Sequence, residues 1–161
     1  MAAARRRYWL FKSEPDVYSI ADLERDGRTC WDGVRNYQAR NLLRDTIGIG
    51  DLVLFYHSNT EPLCIAGTAR VVTDGYPDAS AFDPDSRYYD PKSDPENPTW
   101  YTVDIEYGTT FDPPVTREAL RAEPKLSEMM VLRRGARLSV QPVTAEEWRT
   151  VLRMAGVREP A

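Results

Sequence analysis

Histidine is nearly absent from this chain: His57 is the only one among 161 residues. That excludes the HExxH zinc arrangement and every metal site built on two histidines. Cysteine is almost as scarce. Cys30 and Cys64 stand far apart with no CxxC partner, and they are read as two buried thiols in preference to a disulfide. There is no phosphate loop of the GxxxxGK type and no GxSxG elbow. Gly48-x-Gly50 lacks the third glycine of a dinucleotide fingerprint. No apolar run approaches the ~20 residues that span a bilayer. The basic start, Arg5-Arg6-Arg7, leads into no signal-peptide core, because Lys12 interrupts the apolar stretch Tyr8–Phe11. The expectation is a cytoplasmic protein with no membrane segment, no metal and no cofactor.

What is present describes an ordinary globular domain. The chain is 42% hydrophobic and 29% charged, which argues against disorder over most of its length. A single domain of this size buries roughly 68–70% of its unfolded surface and needs no staple. The net charge of −4 argues against coating nucleic acid nonspecifically, since such binding neutralises many phosphates.

Tyr8–Phe11 reads as a strand stopped by Pro15. Ser19-Ile20-Ala21-Asp22 reads as a capping box that opens a helix ending near Gly27. Asn36–Asp45 reads as a second helix, with Tyr37, Ala39, Leu42 and Leu43 sharing a broad face. Leu52–Tyr56 shows no alternation and predicts a strand buried on both faces. Ile65–Val72 predicts another, with Gly67 permitting a bulge or a close approach. Asp74–Pro98 is a long irregular segment holding five of the 12 prolines, and its aromatics favour a packed loop. Trp100–Glu106 and Arg137–Val140 read as strands, the latter closed by Pro142, with a short helix at Thr116–Arg121 between them. Thr144-Ala145-Glu146-Glu147 caps a last helix that buries Trp148, Val151, Leu152 and Ala155. The sum is an α+β domain with about five or six strands in a mostly antiparallel curved sheet or small barrel, flanked by three or four helices.

Four clusters at predicted strand ends mix aromatic, amide and charged side chains. They are Lys12-Ser13-Glu14-Pro15, Trp31 to Asn41, Tyr56-His57-Ser58-Asn59, and Tyr88-Tyr89-Asp90-Pro91-Lys92-Ser93. Taken singly, each is better explained as a solvated strand end, a core anchor, a turn or a packed loop. Together they supply what a flat polar ligand needs: aromatic faces for stacking, amides and hydroxyls for edge contacts, and cations for a phosphate. Unstacked nucleobases are recognised by that combination. One extruded base requires few phosphate contacts, so an acidic total charge is no obstacle.

The stretches Tyr8–Pro15, Trp31–Asn41, Gly50–Asn59, Ile65–Val72, Tyr76–Asp78 and Tyr88–Ser93 carry a resemblance. So do Trp100–Ile105, Arg137–Val143 and Trp148. The chain resembles the EVE domain of the PUA-like superfamily, related to the YTH domains that read N6-methyladenine. The resemblance spans roughly residues 7 to 155 and implies a single PUA-like domain there, with flexible termini at 1–6 and 156–161. It implies a curved, mostly antiparallel β-barrel flanked by helices. It also implies a pocket for a modified nucleobase, such as a methylated or oxidised cytosine, in DNA or RNA.

Carried over residue by residue, the resemblance places Lys12, Ser13, Trp31, Val34, Arg35, Asn36, His57, Ser58 and Asn59 around that pocket. Tyr89, Asp90 and Lys92 would close it from the long loop, and Leu138 and Ser139 would form its floor or rim. Trp31 would stack on the base, and Asn36, Ser58 or Asn59 would read its edge. Lys12, Arg35 and Lys92 would meet phosphate. The expected partner is DNA or RNA carrying a modified base, bound by a monomer without catalysis. The alternatives are a small PUA-like hydrolase of modified nucleosides using Lys12 and Glu14, and a protein-interaction module presenting the same aromatics as a flat patch. The chain is read as a nearly bare domain, with no fused nuclease or helicase and no long basic arm.

Overall fold

The computed structural model describes residues 6–158. Of the termini expected to be flexible, 1–6 and 156–161, residues 1–5 and 159–161 lie outside the described residues. At the C-terminal side, Gly156 closes the last helix in the left-handed conformation, at φ 71°.

Eight strands and four helices follow one another as β1 (Tyr8–Ser13), α1 (Ile20–Asp26), β2 (Arg28–Cys30), α2 (Tyr37–Asp45), β3 (Leu52–His57), β4 (Cys64–Val71), β5 (Tyr76–Pro77), β6 (Tyr101–Thr102), β7 (Asp104–Thr116), α3 (Arg117–Ala122), β8 (Val140–Val143) and α4 (Ala145–Ala155). Six strands form one sheet in the order β2-β7-β4-β3-β1-β8, and β5 pairs with β6 in a separate ribbon. Within the main sheet β1 and β3 run parallel, and the remaining ladders are antiparallel.

The strand sequences explain the layering. Along β1 and β3, Trp9, Phe11, Val53 and Phe55 face one core, which α1 and α2 cover through Ile20, Leu23, Ala39 and Leu43. The alternate residues Leu10, Leu52, Leu54 and Tyr56 face a second core, covered by Leu120 of α3 and by Trp148, Val151 and Leu152 of α4. A strand buried on both faces has no polar positions to alternate with, hence the unbroken apolar run. The helix starts match their sequence signals: Ser19 with Asp22 and Thr144 with Glu147 form reciprocal capping boxes.

Several elements differ from expectation. Trp100–Glu106 is two strands, because Val103, fully buried, breaks the line between β6 and β7. The second of these runs on to Thr116. Pro142 does not close a strand but lies within β8, opposite Trp9. This is tolerated because β8 is an edge of the sheet, where one side of the strand has no ladder to lose. Tyr37 leaves the apolar face of α2, is 62% exposed, and stacks on Trp100 at 5.0 Å. Cys30 is exposed and only Cys64 is buried; both are free thiols.

Gly67 behaves as expected. The β4–β7 register shifts beside it, and a Cβ there would overlap the Thr109 carbonyl oxygen of β7. Overpacking of this kind typically costs about 1–3 kcal/mol. Gly67→Ala should therefore lower the urea midpoint by an amount in that range at unchanged slope; an unaltered midpoint would show that β7 yields freely.

A candidate base-binding cavity

In a flat sheet, β1 and β2 would lie four strand spacings apart, about 19 Å. Yet Lys12 and Ser13 of β1 share one cavity with Thr29 and Cys30 of β2. The sheet must curl to bring them together, and the cavity opens where its two ends approach. It measures about 420 Å³, within the usual range of small-ligand sites, about 300–1,000 Å³.

The back wall is Trp31. Its amide donates to the Val103 carbonyl at 2.8 Å, at the break between β6 and β7. Its indole packs on Phe11 at 5.4 Å and meets the edge of Phe55 at 5.5 Å. The residue is 9% exposed and lines the cavity. After Trp31 the chain turns through Gly33 at φ 86°, a conformation that favours glycine. Gly33 is required for a second reason: a Cβ would stand 2.5 Å from the Tyr88 ring, which packs directly against it and also lines the cavity.

Tyr88 is held there by a buckle. Arg35 donates from Nη1 to Asp78 Oδ2 at 3.0 Å and to the Val34 carbonyl at 3.0 Å. From Nε and Nη2 it donates to the Tyr88 carbonyl at 3.2 and 2.7 Å, and Nη2 also reaches Ser80 Oγ at 3.3 Å. The five N–H groups of the guanidinium are thus matched by five internal contacts. Asp78 is fully buried and also accepts the amide of Gly33 at 2.9 Å. Burial opposes its ionisation, but hydrogen bonds from Ser80, Gly33 and Arg35 together outweigh burial and hold the carboxyl below its ordinary value.

The polar groups facing the cavity are few. The Lys12 ammonium donates to the Ala136 carbonyl at 3.2 Å. Burial, and secondarily the charge of Arg117, lowers its pKa. Asp32 has its carboxyl raised by burial and by the neighbouring Asp78, against a weaker opposing effect of Arg35. The Cys30 thiol is raised by burial.

Of the residues expected around the pocket, Lys12, Ser13, Trp31, Val34, Arg35 and Ser139 line it, and Glu14 does too. The others do not. Asn36 is the N-cap of α2, and its side-chain oxygen accepts the Ala39 amide at 3.0 Å. Ser58 and Asn59 serve as rim struts: the Ser58 amide donates to the Ser13 carbonyl at 2.9 Å and Asn59 Nδ2 to Glu14 Oε1 at 3.0 Å. Tyr89 points outward and is 43% exposed. Asp90 accepts from Trp100 Nε1 at 2.7 Å and from the Lys92 amide at 3.0 Å, which leaves Lys92 exposed away from the cavity. Leu138 packs on the first core and lines a different depression. Val17, Tyr18, Thr29, Cys30 and Arg87 also line the cavity and belong to none of the four sequence clusters, while Asp32, Gly33 and Tyr88 line it and lie within those clusters but are not among the residues carried over to the pocket.

His57 is structural. Its Nε2 accepts the Ile20 amide at 3.1 Å at the first turn of α1, so the ring is neutral with its proton on Nδ1. Burial depresses its pKa below the ordinary value. Among the described residues, no group of three or more histidine, cysteine or carboxylate side chains could hold a metal ion, and no helix is long and apolar enough to cross a membrane.

Comparison with known proteins places this architecture among relatives. The family described as the EVE domain matches residues 7–154. Thymocyte nuclear protein 1 of Homo sapiens is 39% identical over 163 residues, covering 90% of this chain and 72% of that protein. The structure of a hypothetical protein from Leishmania major superposes with a TM-score of 0.90 at 43% identity, covering 94% of this chain and 96% of the other. The crystal structure of human THYN1 protein in complex with 5-methylcytosine-containing DNA superposes with a TM-score of 0.86 at 38% identity, covering 96% and 99%.

Two outcomes follow from the geometry. Arg35→Ala leaves the Asp78 carboxylate buried without its cation, which typically costs about 3–5 kcal/mol. Arg35→Lys should recover less than half, since one ammonium cannot reproduce a planar fork. Urea unfolding of both variants checks this, and full rescue by lysine would contradict the buckle. For His57, a depressed folded pKa means that the stability it supplies is complete above the unfolded value, about 6.5, and is lost as pH falls through the folded one. Stability should therefore drop below pH ~6.5 in the parent and drop less in His57→Gln, whose amide oxygen accepts the same bond. Parallel pH curves would assign the drop to other groups.

Proposed function

The chain belongs to the EVE domain family, and from that membership and its cavity we propose that it binds DNA carrying a modified base, acting as a monomeric, noncatalytic reader. The 5-methylcytosine-containing DNA held by the human relative makes that base the first candidate ligand. The observation that carries the reading is the cavity between Trp31 and Tyr88. Its lining combines the aromatic residues Trp31, Tyr18 and Tyr88 with polar groups at Lys12, Ser13 and Asp32, a mixture that supports base binding.

Each feature has a chemical use. A flipped pyrimidine stacks on Trp31, a contact worth roughly 1–3 kcal/mol. The Asp32 carboxylate is an acceptor suited to the exocyclic amino group of cytosine. Val34 and the indole offer apolar surface to a methyl group. Burying one methyl contributes about 0.8 kcal/mol, so preference for the methylated base from this source is about fourfold. A second reading uses the same cavity. The lowered lysine pKa of Lys12, next to Glu14, is the environment a hydrolase of modified nucleosides would build.

Trp31→Ala is a poor probe, because the indole is also core and its loss costs roughly 3–5 kcal/mol. Filling the cavity is cleaner. Cys30 lines it, Cys64 is buried, and alkylation at mildly alkaline pH overcomes the raised thiol pKa. A bulky maleimide on Cys30 should weaken binding of a 5-methylcytosine oligonucleotide at least tenfold with an unchanged circular dichroism spectrum. Undiminished affinity would remove the base from this cavity. Conversion of a modified nucleoside panel, followed by mass spectrometry and abolished by Lys12→Ala, would favour the hydrolase.

A further inference from the structure

Next to the base cavity lies a second, open one of about 400 Å³, lined by Asn36, Gln38, Arg133, Arg134, Arg137 and Leu138 among others. We propose that this arginine-lined depression is a phosphate-binding site, which holds the backbone of the same strand whose base enters the first cavity. The inference rests on the base-binding reading for its ligand, but on different residues for its chemistry.

The two cavities share one wall. The Lys12 amide donates to the Ser139 carbonyl at 2.8 Å, and its ammonium donates to the Ala136 carbonyl at 3.2 Å. Ser139 faces the base cavity, whereas Ala136 and Leu138 face the second. A nucleotide bound in the first can carry its sugar-phosphate chain out past residues 136–139, which border both cavities, or past the tyrosine-bearing rim.

Charge favours the first route. The chain is acidic overall, yet no acidic residue occurs between Glu128 and Glu146, and three arginines fall within residues 133–137. All three are exposed. Arg133 is partly occupied, donating to the Glu128 carbonyl at 3.0 Å with the Glu128 carboxylate 4.0 Å away. Arg134 and Arg137 make no side-chain hydrogen bond or ion pair among the described residues. Elsewhere near the cavity, Arg35 is committed to the buckle and Arg40 to the Thr99 carbonyl at 2.7 Å, and the single Arg87 on the tyrosine-bearing rim lies over the Tyr88 ring at 5.3 Å. Uncommitted guanidinium forks on a wall shared with the base site suit bidentate phosphate contact. The loop is held in shape without them: the Ala136 amide closes a turn on the Arg133 carbonyl at 3.2 Å, with Gly135 at φ 79°.

The test is the double variant Arg134→Ala/Arg137→Ala, compared with Arg149→Ala/Arg153→Ala. The latter removes the same charge from exposed positions of α4, on the other side of the sheet. Binding of single-stranded oligonucleotides with and without 5-methylcytosine is measured over a salt series. The loop variant should bind both at least tenfold more weakly, by the same factor, with a salt slope shallower by about 1.4, for two phosphates at about 0.7 each. The α4 variant should match the parent. A loop variant with the parent's affinity and slope, or an equal loss in the α4 variant, would overturn the phosphate site. Should the parent show no preference for the modified base while the loop variant still loses affinity and slope, the base reading fails and the phosphate site stands.

Discussion

A buried carboxylate and one guanidinium hold the Tyr88 side of the cavity in place. Asp78 sits with no exposure at the start of the long irregular segment, and Arg35 reaches it at 3.0 Å from the far side of the Gly33 turn. Either group alone would be costly to bury. Together they fix two loops that share no regular secondary structure, and the Tyr88 carbonyl is drawn in by the same guanidinium. Tyr88 then has one place to go, against the bare α-carbon of Gly33. The cavity wall is a by-product of that electrostatic tie, set on a sheet that has already curled to bring β1 and β2 together.

The elements legible in the sequence were those with local causes. Ser19 and Thr144 announce their helices by capping chemistry that is complete within four residues. The unbroken apolar run of β3 announces burial on both faces, and Gly67 announces a close approach. The cavity was legible only in part. Lys12, Ser13 and Trp31 lie at strand ends, where alternation and motif both point. Arg35 was visible as a cation beside the site, but its role was not, because the partner that neutralises it stands 43 residues away. Choosing Tyr89 over Tyr88 was a matter of facing: neighbouring residues in a loop point in different directions, and only the contact with Gly33 decides between them. His57 and Asn36 were misplaced for one reason. A polar side chain at a strand end or helix start serves a ligand or a backbone amide, and the sequence does not distinguish them.

Charge distribution reconciles an acidic protein with a nucleic-acid ligand. Among the described residues, seven of the 25 acidic side chains sit in ion pairs, as in Arg25 with Asp22 and Asp26, Arg44 with Asp45, and Arg70 with Glu106. Such exposed pairs contribute little to stability, whereas residues 129–145, beside the cavity, hold three arginines and no acidic residue. Reading one extruded base asks less of electrostatics than coating a duplex does. On the proposed reading, the aromatic residues supply affinity and the local cations supply orientation, a division of labour suited to a small domain.

The central claim is that a single modified base occupies the space between Trp31 and Tyr88. A crystal structure of the chain with a short DNA oligonucleotide containing one 5-methylcytosine tests it most directly. The account predicts that base flipped out of its strand and stacked on the indole, with the Arg35–Asp78 contact unbroken. A strand bound with its bases outside the cavity, or a cavity that closes on binding, would contradict it.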